Sequence, residues 1–286
     1  MRISRSLTIN KTILIAGAGE LGLRLGRRLI PNAKIVAVRR RSFFYFENEQ
    51  VQEHRFSGNW QALLEQFCPQ HLVISWAPSE RSHQAYRSLY IDELSNLLSA
   101  AAHHGRPDIL QISSSAVWEA EDGRHIDDQS PMPPPQDQRG KILLEAEDLT
   151  QEYGIQQQRK ICTLRLSGLY GPQRWPGLRR LRQTTPITEN PAGWVNLLHI
   201  EDASIACELA LQHALEGRYL VSAESILREK LYHFAHLHFD TPPPIWERKT
   251  HELGRRIDSR IFSEQCLWKP TVPRVCDWIQ KQDLEN

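Results

Sequence analysis

Long apolar runs are missing from this sequence. No stretch approaches the ~18 consecutive apolar residues that a membrane-spanning helix needs, and the opening residues, MRISRSLTINK, are too polar for a secretory signal. An excess of charge of one sign is missing too. The 35 basic residues face 34 acidic ones, which removes the broad electrostatic footprint of a protein that binds nucleic acid or an anionic membrane surface. Cysteine is scarce and unpatterned: Cys68, Cys162, Cys207, Cys266 and Cys276 are odd in number and include no C-x-x-C, so neither a disulfide framework nor a zinc site is expected. His233, His236 and His238 in HFAHLH have no carboxylate at metal-ligand spacing, so no metal is expected there either. The absence of internal repeats excludes a solenoid. What these absences leave is a soluble, cytoplasmic, globular chain of 286 residues, long enough for one large domain or a domain plus a lobe. Its expected partner is a small molecule, or another protein.

What the sequence does contain is an alternation of apolar strands and helices. KTILIA (11–16) ends in glycines and leads into a helical pattern at Leu21, Leu25, Leu29 and Ile30, and then comes KIVAV (34–38). The alternation continues through HLVISW (71–76), a helix over 86–104, DILQIS (108–113), a helix over 137–153 and KICTLRL (160–166). Apolar strands separated by helices predict an α/β fold with a doubly wound parallel sheet covered on both faces. After about Gly168 the pattern breaks into a Pro-, Gly- and Arg-rich stretch, followed by a helix over 202–216, the short strand RYLVS and further helices. This predicts a first domain over 1–168, with later strands returning to its sheet, and a smaller, mostly substrate-binding lobe over 169–286. SPMPPP (130–135) is a stiff loop that should end any element before the 137–153 helix begins.

GAGELG sets Gly17, Gly19 and Gly22 in G-x-G-x-x-G spacing between a strand and a helix. In a Rossmann-type unit the first glycine makes the tight turn, the second lets the backbone approach a pyrophosphate, and the third lets the helix pack on the strand. Glu20 and Leu21 open that helix, whose N-terminal N–H groups and positive dipole end suit phosphates. The bland reading is a turn that simply ends a strand. At the end of the second strand, where an NAD site carries an acidic residue, stand Arg39, Arg40 and Arg41. Arginine there favours the 2′-phosphate of NADP, with NAD as the alternative; a solvated basic loop is the reading without function.

The order of motifs resembles the extended short-chain dehydrogenase/reductase superfamily, in its NAD-dependent epimerase/dehydratase branch. GAGELG, VISWAPS, YRSLYIDELSNLL, QISSSAVW, LRLSGLYGP, NLLHIEDAS and a closing LW-x-P-x-x-P occur in the family's order over nearly the whole chain. The resemblance implies a nicotinamide cofactor, with Ser75 and Trp76 of VISWAPS beside it. It also implies a homodimer through the helices over 86–104 and 137–153. It places Ser114 where the family has a Ser/Thr that binds the substrate oxygen, although a strand-end serine also caps local backbone. The family's proton donor is a Tyr with a Lys four residues later. In DQRGKILLEAEDL, matching Gly140, Leu144, Ala146, Glu147 and Leu149 puts Arg139 and Leu143 at those two positions. Neither exchanges a proton. A second register sets Lys141 at the lysine and Asp137 at the tyrosine, at the expense of the Ala-Glu match.

Lys141 is therefore the nearest replacement, provided that partial burial makes its ammonium a usable acid. Arg174, Arg179, Arg180 and Arg182 form a basic run that an anionic substrate would use, or a solvated face. Tyr170, in a Tyr-Gly-Pro turn, is read as structural. His199 is a substrate-site histidine or a satisfied structural one, and Asp202 reads as a helix N-cap. Arg255 and Arg256 stand where the family contacts its substrate. Two functions follow: an NADP-dependent oxidoreductase or epimerase-like enzyme on a nucleotide sugar or related polar metabolite, or a catalytically silent NADP(H) sensor.

Overall fold

The computed structural model describes residues 11–40, 50–119, 122–172, 174–175, 177–247 and 251–282. The N-terminal decapeptide and Arg41 lie outside these residues, as does the side chain of Arg179. The chain begins with β1 (Lys11–Ala16), α1 (Glu20–Leu29), β2 (Ala33–Arg39), β3 (Val51–Arg55) and α2 (Trp60–Phe67). It continues through β4 (His71–Ile74), α3 (His83–Arg87), a π-helical stretch (Ser88–Glu93), α4 (Leu94–His103) and β5 (Asp108–Ser114). Next come a 3-10 turn (Ser115–Val117), β6 (His125–Ile126), α5 (Gln138–Gln157), β7 (Ile161–Leu166), β8 (Gly168–Tyr170) and α6 (Leu178–Arg182). The last elements are β9 (Trp194–His199), α7 (Ile200–Gln212), β10 (Gly217–Val221), β11 (Glu224–Leu227), α8 (Arg228–His238), β12 (Arg256–Ile257), α9 (Arg260–Cys266) and α10 (Val275–Gln280).

A seven-stranded sheet runs in the order β10-β7-β5-β4-β1-β2-β3, with parallel ladders from β3 across to β5. This is the doubly wound Rossmann-type architecture that the alternating pattern predicts. β1 joins β2 on one side and β4 on the other, so the strand order reverses there, and the carboxyl ends of these strands are the usual ligand position in such sheets. Central strands read as unbroken apolar runs because both faces are covered: Ile13 to Ala16 and Ile35 to Val38 are all fully buried.

Two compact units emerge, each assembled from three stretches of chain. The first comprises 1–117, 135–165 and 204–218; the second comprises 118–134, 166–203 and 219–286. In the first unit, Leu14, Val36, Leu72, Leu94, Leu97 and Tyr153 pack in one core. A buried polar cluster fastens α5 to the sheet. Glu147 is 0 % exposed, accepts from Ser113 Oγ at 2.6 Å, and receives both Nε and Nη2 of Arg165 at 3.1 and 2.7 Å. Arg218 approaches the same carboxylate at 3.5 Å and donates to Asp148 at 2.5 Å. Two cations and a hydroxyl around one carboxylate satisfy a charge that would otherwise be costly to bury.

The second unit contains the sheet β11-β9-β8, the ribbon β12-β6 and an aromatic core of Tyr170, Tyr232, Phe239 and Trp278. Asp202, expected as an N-cap, lies instead inside the first turn of α7, and its carboxylate is fully buried. It accepts from Thr271 N at 2.7 Å, Thr271 Oγ1 at 2.6 Å and Val272 N at 2.9 Å, so it grips the closing Trp-Lys-Pro-Thr-Val-Pro segment 69 residues downstream. Local spacing favours a cap, but a long-range partner took the carboxylate. Among the described residues, no helix is long and apolar enough to cross a membrane.

Candidate functional site

The glycine turn sits at the point where the strand order reverses. Gly17 N and Ala18 N both donate to Val38 O at 3.0 Å, which ties the turn to the end of β2. Gly17 has φ +89°, and a Cβ there would lie 2.5 Å from Trp76 Cδ1 and 2.6 Å from Ser75 O. A Cβ on Gly22 would meet Gly17 O at 3.0 Å and Ile15 Cγ2 at 3.1 Å, so helix and strand touch at this position. Both glycines have an internal steric reason. Gly19 has none: its φ is −78°, which any residue adopts, and the nearest atom to a Cβ there is Gly17 O at 3.9 Å. Directly after it, the first N–H groups of α1 have no intrahelical acceptor, as at every helix start. These belong to Glu20, Leu21 and Gly22. Space kept clear beside free backbone donors fits a dinucleotide pyrophosphate.

Two strand ends flank the turn. At the end of β2, Arg39 is half-buried and pairs in register with Arg55 of β3. Two guanidinium side chains in register at neighbouring strand ends suit an anion through charge-assisted bonds. No sequence signal marks Arg55, because VQEHR has no apolar periodicity. Arg40 is exposed and donates to Ala77 O at 3.4 Å. At the end of β4, Ser75 N donates to Ala16 O at 2.9 Å, and the half-buried Trp76 lies beside Gly17.

Ser114 ends β5, half-buried, and its Oγ accepts from Ala116 N at 3.2 Å. That is the backbone-capping role expected of a strand-end serine, and it leaves the hydroxyl hydrogen able to donate elsewhere. Helix α5 starts hard against this strand end: a Cβ on Gly140 would lie 3.0 Å from Ala116 O and 2.9 Å from Pro135 Cβ. On the helix, Leu143 is buried and Arg139 is ion-paired with Asp137 at 3.2 Å. Lys141 is exposed, so the partial burial that would have made it a useful acid is absent. Its position in the helix sets it away from the face on which Gly140, Leu143, Ala146 and Glu147 are buried.

In the second unit, His199 is buried against Tyr170 and Trp278, with ring centroids 5.2 and 5.3 Å away, and its Nδ1 accepts from Glu201 N at 3.3 Å. Tyr170 donates to Val272 O at 3.4 Å, and burial pushes its phenol far above the ordinary range. Arg256 donates from Nε to Gly123 O at 2.9 Å and stacks on Trp194 at 5.0 Å, while burial pulls Arg255 below the usual guanidinium value. Arg174 is exposed, with its backbone bridged to Gly171. Arg180 is held by Glu189 at 2.6 and 2.8 Å.

The NAD dependent epimerase/dehydratase family matches residues 13–221, which takes in the glycine turn, β4, β5, α5 and β9. The chain belongs to this family. It is 30 % identical over 197 residues to the protein YeeZ of Escherichia coli strain K12, 68 % of each chain. A solved structure from Methylobacillus flagellatus, assigned to the NAD-dependent epimerase/dehydratases, is 23 % identical and covers 94 % of this chain and 96 % of that one, with a TM-score of 0.72. MoeE5, solved with UDP-glucuronic acid and NAD, is 16 % identical over 95 % and 97 % of the two chains, with a TM-score of 0.77. At these identities the two structures establish the shared fold.

Proposed function

We propose that this member of the epimerase/dehydratase family is an NADP-dependent oxidoreductase or epimerase-like enzyme acting on a nucleotide sugar or a related polar metabolite. Gly19 carries the reading. Among the described residues nothing requires glycine there, whereas a pyrophosphate lying on the first N–H groups of α1 does. Glu20, Leu21 and Gly22 would supply those donors, with Ser75 and Trp76 beside the turn. Arg39 and Arg40, joined by Arg55, would hold the 2′-phosphate by charge-assisted bonds. When bound, the nicotinamide supplies hydride exchange. Ser114 orients the substrate oxygen with the hydrogen its backbone contact leaves available. The substrate class is supported by MoeE5, which shares the fold and was solved with UDP-glucuronic acid, and the exposed guanidinium of Arg174 suits an anionic group.

A second reading, a silent NADP(H) sensor, is favoured by one observation: neither Arg139, paired with Asp137, nor the buried Leu143 exchanges a proton. Turnover of NADPH in the presence of sugar nucleotides supports the enzyme; tight NADPH binding with no turnover across such a panel supports the sensor. The cofactor assignment has its own test. Arg39→Asp is expected to weaken NADPH binding about 10- to 100-fold, the worth of a hydrogen bond to a charged group, without weakening NADH. An unchanged NADPH affinity in a fluorescence titration removes Arg39 from the 2′-phosphate site.

A further inference from the structure

At the end of the central sheet opposite the glycine turn, two nitrogen groups meet in a way that only one protonation state permits. Lys11 opens β1 and His71 opens β4, on neighbouring strands whose ladder runs from the pair Ile13 and His71 to the pair Ala16 and Ile74. Lys11 Nζ lies 3.4 Å from His71 Nε2. An ammonium has only hydrogens to give, so Nε2 must accept, which makes His71 the neutral ring with its hydrogen on Nδ1. The residue is 8 % exposed. It has little freedom to turn out to water, because the residue before it is pinned by three bonds. Gln70 N donates to Thr12 O at 3.0 Å, Gln70 Oε1 accepts from Thr12 N at 2.8 Å, and Gln70 O accepts from Asp108 N at 3.1 Å.

Asp108, the first residue of β5 and the register partner of His71, is the acid on the other flank, and its Oδ1 accepts from Lys160 N at 3.1 Å. Among the described residues, Lys11 and Asp108 are the charged groups that act on the imidazole. Burial, and then the Lys11 ammonium, push its pKa below the ordinary 6.5, against the pull of Asp108. We infer that Lys11 and His71 form a proton-sensitive latch at the base of the β1 and β4 ladder, closed while the ring is neutral and opened when it takes up a proton. Protonation turns the contact into one between two cations, one of them buried. The unfolded chain takes up that proton more readily than the folded one. The stability that the latch contributes is therefore complete above pH 6.5 and is lost as the pH falls toward the lower folded value. The far end of the same short ladder carries the glycine turn and Ser75, whose N–H is bonded to Ala16 O, so acid loosens the strands on which the turn is mounted, whatever occupies it.

The test is an NMR titration of the full chain. The His71 ring is expected to titrate with a midpoint below 6.5, and Lys11→Met, a change at an exposed side chain, is expected to move that midpoint up. Hydrogen exchange, corrected for its intrinsic pH dependence, reads the latch in the backbone. Opening of β1 and β4 in the wild type is expected to rise by up to about 10-fold for each pH unit below 6.5, the limit for one linked proton. His71→Gln is expected to remove that dependence, and the two ring titrations decide the matter even where this variant does not fold. A His71 midpoint at or above 6.5 means that Asp108 holds the ring as a cation, and it overturns the inference, as does a midpoint that Lys11→Met leaves in place. The same acid-dependent opening in His71→Gln also overturns it, by placing the sensitive group elsewhere.

Discussion

Gly19→Val is expected to abolish measurable NADPH binding while the protein melts at the wild-type temperature. The two halves of that result come from different atoms. Gly19 has an ordinary φ, and among the described residues a Cβ at this position would have no neighbour closer than 3.9 Å, so the backbone and the space at the Cβ position are both open to a side chain. The space the side chain enters is the space a pyrophosphate needs in order to reach the first N–H groups of α1. Loss of that approach removes two or more charge-assisted hydrogen bonds, worth about 1.5–3 kcal/mol each, so Kd rises by at least about 100-fold. Gly17→Ala is the contrast. Its positive φ and the 2.5 Å approach of Trp76 Cδ1 predict a cost of about 1–3 kcal/mol in stability whether or not cofactor is present. If Gly19→Val binds NADPH as tightly as the wild type, the turn is only a turn.

Glu147→Ala has the largest expected effect on stability. The carboxylate is fully buried and serves Ser113, Arg165 and Arg218 together. Its removal leaves the buried Arg165 guanidinium without its counter-charge, and breaking a buried pair from one side costs about 3–5 kcal/mol. Thermal unfolding should register this as a fall in Tm on the order of 10 °C. Because Glu147 pins α5 to both β5 and β7, the loosened region should include the end of β5 that carries Ser114. Hydrogen exchange along α5 and β5 checks this directly: protection unchanged in Glu147→Ala would show that packing of Leu143, Ala146 and Tyr153 alone holds the helix.

The sheet was legible because its central strands are buried on both faces and so must be continuous apolar runs, as in KTILIA, KIVAV and KICTLRL. β3 was not legible. VQEHR lies at the sheet edge with a single neighbouring strand and half-exposed side chains, so no burial pattern constrains it. Missing that strand also hid Arg55, whose meaning exists only in register with Arg39. The helix over 86–104 was readable in outline, but it starts at His83 and carries a π-helical turn over Ser88–Glu93, from which Tyr90 donates to Trp76 O and Glu93 accepts from Trp60 Nε1.

Long-range partners account for the other differences. Asp202 followed by a helix reads as a cap until Thr271 and Val272 arrive from the far end of the chain. Glu147 was readable as a register mark in DQRGKILLEAEDL, but its partners Ser113, Arg165 and Arg218 come from three separate strands. Lys141 shows the limit in the other direction. A residue placed by sequence on the right helix points away from that helix's buried face, and helical geometry decides that more firmly than a motif register does.

The central claim is that the first unit binds a dinucleotide through α1 and recognises its 2′-phosphate through the arginines at the ends of β2 and β3. Parallel titrations of wild-type protein with NADPH and NADH, followed by cofactor fluorescence, test it most directly. The account predicts that both bind and that NADPH binds at least about 10-fold more tightly, the contribution of one charge-assisted contact to the extra phosphate. Binding of neither cofactor, or tighter binding of NADH, would contradict it.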